Sequence, residues 1–459
     1  MIKNYLKITW RNLIKNKVYS ALNIVGLAAG MAIALLIALW VVNEYSYDRF
    51  LPEYKQLYQL KINFTSAHDG THTQSNVAIP VVDVLRKQYP QIKYVAQTDG
   101  MVKHNLIVGE KKLYLNGAGV GYDFLKMFQY KLIKGNANTA LTDAYSIVLT
   151  KSLAKSLFGD ANPINELIKI DNRDNLKVTG VVEDVPSNST LQFEFLFPFS
   201  YYVQSRDWMK QEITNWTNNS YQIFVMLQPG VDHVALNEKI KDLVSKNSER
   251  MRPSKPELWL QAMQDWHLYS DFKDGRSVGG FIDYVHMFSL IGLLVLLIAC
   301  INFMNMATAR SEKRAREVGV RKAIGSQRSH LIFQFLTESI LITVIAFLFS
   351  LLLTQLMLPH FNNLTGNNIS IPFSAPLFWL IMLGYVLLTG LLAGSKPAFY
   401  LSSFNPVKVL KGDMKTRSSN TLGRKVLVVA QFSCSIALII STVVIYRQIK
   451  YAKIGRAHV

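Results

Sequence analysis

Five stretches of this chain are long, apolar and free of Asp, Glu, Lys and Arg: residues 21–42, 284–307, 339–358, 377–394 and 426–446. Each has about the 20 residues that cross a hydrocarbon core of roughly 30 Å. In lipid every backbone N–H and C=O must be satisfied within the segment, so such runs are expected to be helices. Composition agrees, with 50% hydrophobic residues, only 18% charged and a mean hydropathy of +0.15. A plain cytosolic enzyme is excluded, and so is disorder, because 11% aromatic residues cannot stay solvated in so apolar a chain. The first run is too long for a signal peptide and lacks a small-residue cleavage site, so it reads as a retained anchor.

Lys and Arg number 50 against 31 Asp and Glu, a net charge of +19. Such an excess suits nucleic acid or an anionic membrane surface, and its position decides for the membrane. Lys3, Lys7, Arg11, Lys15 and Lys17 precede the first run, Arg310 to Arg328 follow the second, and Lys396 to Lys425 follow the fourth. Residues 359–376 contain no Lys or Arg. The positive-inside bias therefore places the N-terminus in the cytoplasm and the long segment after the first span outside. Nucleic acid is not an expected partner; the lipid bilayer is. Cys300 and Cys434 both lie within apolar runs, leaving no disulfide framework and no CxxC site.

The expected organisation is an α-helical integral membrane protein of about five transmembrane helices, with a large extracytoplasmic mixed α+β domain between helices 1 and 2. Residues 1–18 form a cytoplasmic amphipathic helix and 19–43 the first span, followed by the outer domain at 44–282. The second span is 283–307, a cytoplasmic coupling loop or helix 308–338, the third span 339–358 and a short outer loop 359–376. The fourth span is 377–395, a basic linker 396–425, the fifth span 426–446, and 447–459 a terminal segment. In the first segment Ile2, Tyr5, Leu6, Thr9, Trp10 and Leu13 share one helical face, a pattern that lies on a membrane surface. Gly26, Gly30, Ala34 and Ala38 recur every four residues in the first span, a stripe that lets another helix approach closely.

In the outer segment, β-rich stretches at 57–64, 147–150 and 176–182 alternate with helical patterns at 78–87 and 152–158. It holds no nucleophile elbow and no HExxH. His68 and His72 sit among Gly, Asp and Thr, a surface loop rather than a metal site. No catalytic, cofactor-binding or metal-binding residues are expected.

The chain also contains no GxxxxGK[ST], the loop that cradles nucleotide phosphates, so energy from ATP has to come from a partner. The informative inner segment is Arg316-Glu317-Val318-Gly319-Val320-Arg321-Lys322-Ala323-Ile324-Gly325. It mixes charge, small residues and apolar positions at helical spacing, which reads as a short docking helix ended by Gly325. Glu338 lies at the membrane edge of the third span, where a carboxylate is costly without a partner; Arg321 or Arg316 is the candidate.

These residues carry a family resemblance. The chain resembles the transmembrane subunits of the MacB/FtsX/LolC type of ATP-binding cassette systems along essentially its whole length. The likeness rests on the anchor followed by Asn43-Glu44-Tyr45-Ser46-Tyr47-Asp48-Arg49-Phe50, and on Leu153 to Asp160 with Pro163-Ile164 and Val178 to Pro186. It rests further on Arg316 to Gly325 with Gln334-Phe335-Leu336 and Glu338, and on Pro397-Ala398-Phe399-Tyr400-Leu401 with Asn405-Pro406. Asn165 stands where the family commonly has glycine, and Lys396 where it has an aromatic residue.

The resemblance implies a permease subunit of the bacterial inner membrane with a periplasmic core domain and no bound cofactor. A cytoplasmic ATPase subunit would bind ATP and contact Arg316, Glu317, Gly319, Arg321, Lys322, Ala323 and Gly325. Such subunits work by mechanotransmission, moving an outer domain to export or extract an amphipathic compound, a peptide or a lipoprotein. The alternative is an FtsX-like regulator that activates a cell-wall hydrolase without transport. Partners implied are a second permease half in a homo- or pseudo-dimer and a periplasmic adaptor or hydrolase. The fifth span and the sequence after it resemble the start of a second half, so a truncated eight-span form is expected, with artefactual last residues.

Overall fold

A computed structural model describes residues 11, 14–15, 17–66, 68, 70–309, 318–403 and, in part, 425–447. It divides into two compact units, Met1–Val41 with His286–Val459, and Val42–Val285. The amphipathic segment at 1–18 and the linker at 396–425 fall mostly outside the described residues, and Arg316, Glu317 and residues 448–459 lie wholly outside them.

Helix α1 (Lys17–Tyr45) is 29 residues of almost unbroken apolar sequence. Its chain then enters the outer unit, which begins with β1 (Leu57–Ser66), β2 (Gly70–Gln74), β3 (Asn76–Val77), α2 (Pro80–Gln88) and β4 (Ile92–Thr98). The first seven residues of β1 are all buried rather than alternating, the pattern of a strand covered on both faces. Pro80 opens α2, where its missing N–H costs nothing and its fixed φ suits the first turn. Val81, Val82 and Leu85 are buried on this helix.

The middle of the unit contains β5 (Val102–Val108), β6 (Lys111–Val120), α3 (Phe124–Phe128), β7 (Leu132–Lys134), β8 (Ser146–Thr150) and α4 (Lys151–Phe158). It continues with β9 (Leu167–Ile170), β10 (Asp174–Val182), β11 (Phe195–Pro198), α5 (Ser200–Ser205) and α6 (Asp207–Glu212). The rest comprises β12 (Tyr221–Leu227), α7 (His233–Ile240), α8 (Leu243–Asn247), β13 (Glu257–Ala262), β14 (Asp271–Lys273) and β15 (Arg276–Gly279). The expected strands and helices of this segment are present; β1, β8, β10 and α4 are longer by one or two residues, and the helix expected at 78–87 is shifted to Pro80–Gln88. His72 lies on β2 of the β1–β2 hairpin rather than in a loop, and His68 in the turn between them.

Thirteen strands form one mixed sheet whose main path is β11-β8-β10-β9-β5-β6-β4-β12-β1-β13. Most neighbours are antiparallel, but β8 and β10 are parallel, as their connection through α4 requires. Three cores lie along it. One lobe packs α2, α7 and α8 around Leu60, Val82, Val225 and Ile240. The other surrounds Ile147, Leu153, Val178 and Phe197. Between them lies a cluster rich in aromatics, with Tyr130 and Phe193 edge-on at 5.1 Å and Phe128 against Phe224 at 5.5 Å, the geometry favoured by ring quadrupoles.

Asn165 adopts φ +72° and donates its N–H to Val178 O at 2.9 Å. The left-handed turn is kept without glycine, since Asn is the side chain that tolerates this region best. Asn165→Val is therefore expected to lower stability by about 1–2 kcal/mol, and Asn165→Gly to change it by less than about 0.5 kcal/mol, as read by chemical denaturation.

After the outer unit come α9 (Phe281–Ala309), α10 (Arg328–Thr365) and α11 (Pro376–Ser402). With α1 they are four helices long and apolar enough to cross a membrane. The fifth expected span lies partly outside the described residues; residues 428–437 are helical. Helices α10 and α11 run past the apolar stretches read from the sequence. Helix α10 begins at Arg328 within the expected 308–338 segment and ends at Thr365 within the expected 359–376 loop. Hydropathy marks the hydrocarbon segment, whereas backbone hydrogen bonding continues through polar flanks until Gly366 takes φ +71° and ends the helix.

Candidate functional site

Residues 318–323 form a short helix on the side the charge bias assigns to the cytoplasm. Gly325 has φ +98°; its N–H bonds Lys322 O at 3.0 Å, and Ser326 N–H bonds Arg321 O at 3.0 Å. This pair of bonds is a Schellman ending, with glycine where a Cβ would be strained. The helix is anchored on one side. Val318 is buried with Leu331, Phe335, Ala398 and Leu401, and Gly319 is buried beside it. Arg321 Nη1 donates to Gln334 Oε1 at 2.8 Å, and Lys322 Nζ donates to Ser402 O at 2.6 Å. Burial and the neighbouring Arg328 pull the Lys322 ammonium below its ordinary value.

The opposite side is apolar and open. Ile324 is 82% exposed and Val320 45%, and Ala323 and Gly325 are exposed with them. Val320 and Ile324 were not among the residues singled out from sequence, because apolar residues four apart on a helix normally mark a buried face. Only the position of α10 and α11 shows which apolar face of this helix is covered.

Glu338 lies on α10 one turn after Gln334 and lines a cavity of about 30 Å³ with Tyr19, Phe303, Ser339 and Pro397, room for about one water. Arg321 thus reaches α10 at Gln334, and Arg316 lies outside the described residues. Of the small-residue stripe, Gly30 packs on Ala299 so closely that an added Cβ would overlap it, and a Cβ at Gly26 would sit 3.4 Å from Asn302 Nδ2. Ala34 is half-buried and Ala38 exposed. Helix α9 reciprocates with Gly292, where a Cβ would stand 3.1 Å from Ile37.

Within the outer unit the residues that follow the apolar part of α1 form a dense polar joint. Asp48 is buried with φ 60°. Its carboxylate accepts from Thr190 N–H at 2.8 Å, Thr190 Oγ1–H at 2.5 Å and Ser189 Oγ–H at 3.3 Å. Asn188 Nδ2 donates to Ser46 Oγ at 2.9 Å, and Asp48 N–H to Asn188 O at 2.9 Å. Glu44, also buried, bonds His267 Nε2 at 2.5 Å, whose ring stacks on Tyr47 at 3.5 Å and meets Phe281, the first residue of α9, at 5.1 Å. Burial pushes the Asp48 carboxyl above its ordinary value despite the donors around it, and pushes the Tyr47 phenol up to about 12. The joint ties the residues leaving α1 to those leading into α9. Asn43 to Phe50 contributed to the family likeness, but partners far along the chain are invisible in sequence.

Among the described residues no three His, Cys, Asp or Glu side chains gather as a metal site.

Comparison with known proteins places this arrangement. Residues 20–243 match the MacB-like periplasmic core domain family, and residues 289–406 match the FtsX-like permease C-terminal family. A curated relative, the macrolide export ATP-binding/permease protein MacB of Haemophilus ducreyi, is 27% identical over 345 residues, 72% of this chain and 45% of the relative. MacB of Salmonella typhi is 24% identical over 421 residues, 88% of this chain and 60% of the relative. The chain thus spans about half the length of the curated relatives it matches. Among solved structures, a domain of a candidate permease protein from Porphyromonas gingivalis aligns at TM-score 0.41 with 23% identity, covering 46% of this chain and 91% of that one. The periplasmic region of MacB from Actinobacillus actinomycetemcomitans aligns at 0.33 with 18% identity, covering 45% and 90%. The chain belongs to the MacB/FtsX type of ATP-binding cassette transporter permeases, inner-membrane proteins with a periplasmic core domain.

Proposed function

We propose that this chain is the membrane subunit of an export system in which a separate cytoplasmic ATPase docks on residues 316–325 and drives the periplasmic domain. The observation that carries this reading is the anchored helix with an open apolar face. Val318, Arg321 and Lys322 hold it to α10 and α11, while Val320, Ala323 and Ile324 face away. A rigid ledge presenting apolar side chains is what a partner needs in order to push on the membrane helices. Arg316 and Glu317 would add charged contacts at its N-terminal end.

The cycle follows by mechanotransmission. The ATPase binds ATP, and this chain binds no cofactor. Closure of the ATPase would shift the docking helix together with the ends of α10 and α11. The close packing of Gly30 on Ala299 and of Gly292 on Ile37 lets α1 and α9 move as a pair. The Asp48 and Glu44 joint would pass their movement to the outer domain, whose changed shape pushes cargo onward. Two permease halves would act together. The relatives named for macrolide export make an amphipathic compound the leading cargo class.

The topology has its own test. A Ser187→Cys variant lies beside the outer joint, so in whole spheroplasts its thiol is expected to react with a membrane-impermeant maleimide. Protection until the membrane is opened would place the N-terminus outside and remove the docking assignment.

A further inference from the structure

The docking helix and the outer domain are attached to different membrane helices. Residues 318–323 are held to α10 and α11 by Val318, Arg321 and Lys322, whereas the chain enters the outer domain from α1 and leaves it into α9. Helix α11 is seated on α10 along a close seam: a Cβ at Gly394 would overlap Ser339, and one at Gly390 would stand 3.1 Å from the Ile340 backbone. Helix α1 is seated on α9 at Gly30 and Ala299. Movement of one pair reaches the other through the contacts between the pairs.

Tyr385 makes such a contact at mid-span. It lies near the centre of the apolar run 377–394 on α11, and its hydroxyl donates to Met31 O on α1 at 3.2 Å. Met31 directly follows Gly30 and is buried, so the phenol meets α1 one residue from its tightest contact with α9. Within an α-helix the Met31 carbonyl also accepts the Leu35 N–H; a carbonyl oxygen has two lone pairs, and Tyr385 takes the second. Packing alone does not call for a hydroxyl at this place. Phenylalanine would fill nearly the same space, and in hydrocarbon a phenol needs a partner that water does not supply.

We propose that Tyr385 latches the α10–α11 pair to the α1–α9 pair, so that displacement of the docking helix is carried to the outer domain. Tyr385 is a positioning residue, and its acceptor suits the role, because a backbone carbonyl moves with the helix axis itself. A hydrogen bond between membrane helices changes an equilibrium about threefold on average. A bond of that strength biases a two-state arrangement and can still break within a cycle. The coupling role rests on the export reading, whereas the latch between the helix pairs does not.

The first measurement uses the full chain in lipid nanodiscs, with spin labels on Val25→Cys of α1 and Leu388→Cys of α11, both exposed, in a Cys434→Ala background. One dominant inter-label distance is expected. Tyr385→Phe is expected to raise the minor distance population about threefold, and Tyr385→4-aminophenylalanine, which restores an N–H donor, to return the original distribution. Unchanged distances in folded Tyr385→Phe overturn the proposal. The second measurement uses the complex with the ATPase co-purified from native membranes and a bimane fluorophore on Ser187→Cys in the outer domain. Tyr385→Phe is expected to keep ATP hydrolysis and to lose about threefold of the ATP-dependent fluorescence change, with 4-aminophenylalanine restoring it. An unchanged fluorescence response overturns the coupling role, and so does loss of hydrolysis in proportion to the response, which would make Tyr385 a structural residue only. If no ATPase co-purifies with the folded parent chain, the export reading fails, and the distances alone decide the latch.

Discussion

Asp48→Ala is expected to lower the stability of the outer domain by about 3 kcal/mol and to uncouple ATP hydrolysis from any movement of that domain. The variant removes the acceptor of three donors, Thr190 N–H, Thr190 Oγ1–H and Ser189 Oγ–H. Leaving buried donors unpaired costs about 1–3 kcal/mol in typical cases. A further ~1 kcal/mol comes from placing alanine at φ 60°, a region that aspartate tolerates better. Asp48→Asn keeps the shape and one acceptor and is expected to cost less.

The pH dependence has a definite sign. Burial raises the Asp48 carboxyl above its ordinary value in the folded state, so the folded chain holds that proton more firmly than the unfolded one. Its stabilising contribution is full below the ordinary carboxylate range and declines as pH rises through the folded value. Asp48→Asn, which mimics the protonated form, should therefore cost less at pH 8 than at pH 4. Denaturant titrations of the purified protein at the two pH values check both statements. A loss below about 0.5 kcal/mol for Asp48→Ala, within the range of ordinary surface substitutions, would mean that the joint carries no strain-bearing role.

The second large effect is on recruitment of the ATPase. Ile324→Asp places a charge on a residue that is 82% exposed just after the docking helix, where the folded chain alone is indifferent to it. Fully burying an isoleucine against a partner contributes about 1.5–3 kcal/mol, so losing it weakens docking at least tenfold. Glu317→Lys is expected to act in the same direction through charge. Gly325→Trp acts differently, because no L-residue adopts φ +98° without strain; it unwinds the ending that fixes the face. All three variants should still insert in the membrane. Normal recruitment in Ile324→Asp and Glu317→Lys together would remove the docking assignment.

The membrane helices were legible because crossing lipid demands a length and an apolarity that leave a direct mark. Strands such as β8 and β10 were legible because a buried run in the first and an alternating apolar pattern in the second are bounded by turns. The ends of α10 and α11 were not, since polar helical flanks carry no hydropathy signal. Gly325 announced the end of the docking helix, but sequence pattern gave no means of telling its covered apolar side from its open one. That distinction depends on Leu331, Phe335 and Ala398, residues on two other helices. The joint at Asp48 and Glu44 was illegible for the same reason: Thr190 and His267 lie far along the chain, and no local periodicity links them.

The most direct test of the account is site-specific crosslinking from the docking face. An Ile324→Cys variant of the full chain, carrying a photoactivatable maleimide, would be purified from native membranes in mild detergent. The account predicts a crosslinked product containing an ATPase subunit, lost when ATPase docking is blocked by Glu317→Lys. If the protein remains folded, the label is incorporated and no ATPase is captured or co-purified, the coupling role of this segment is wrong.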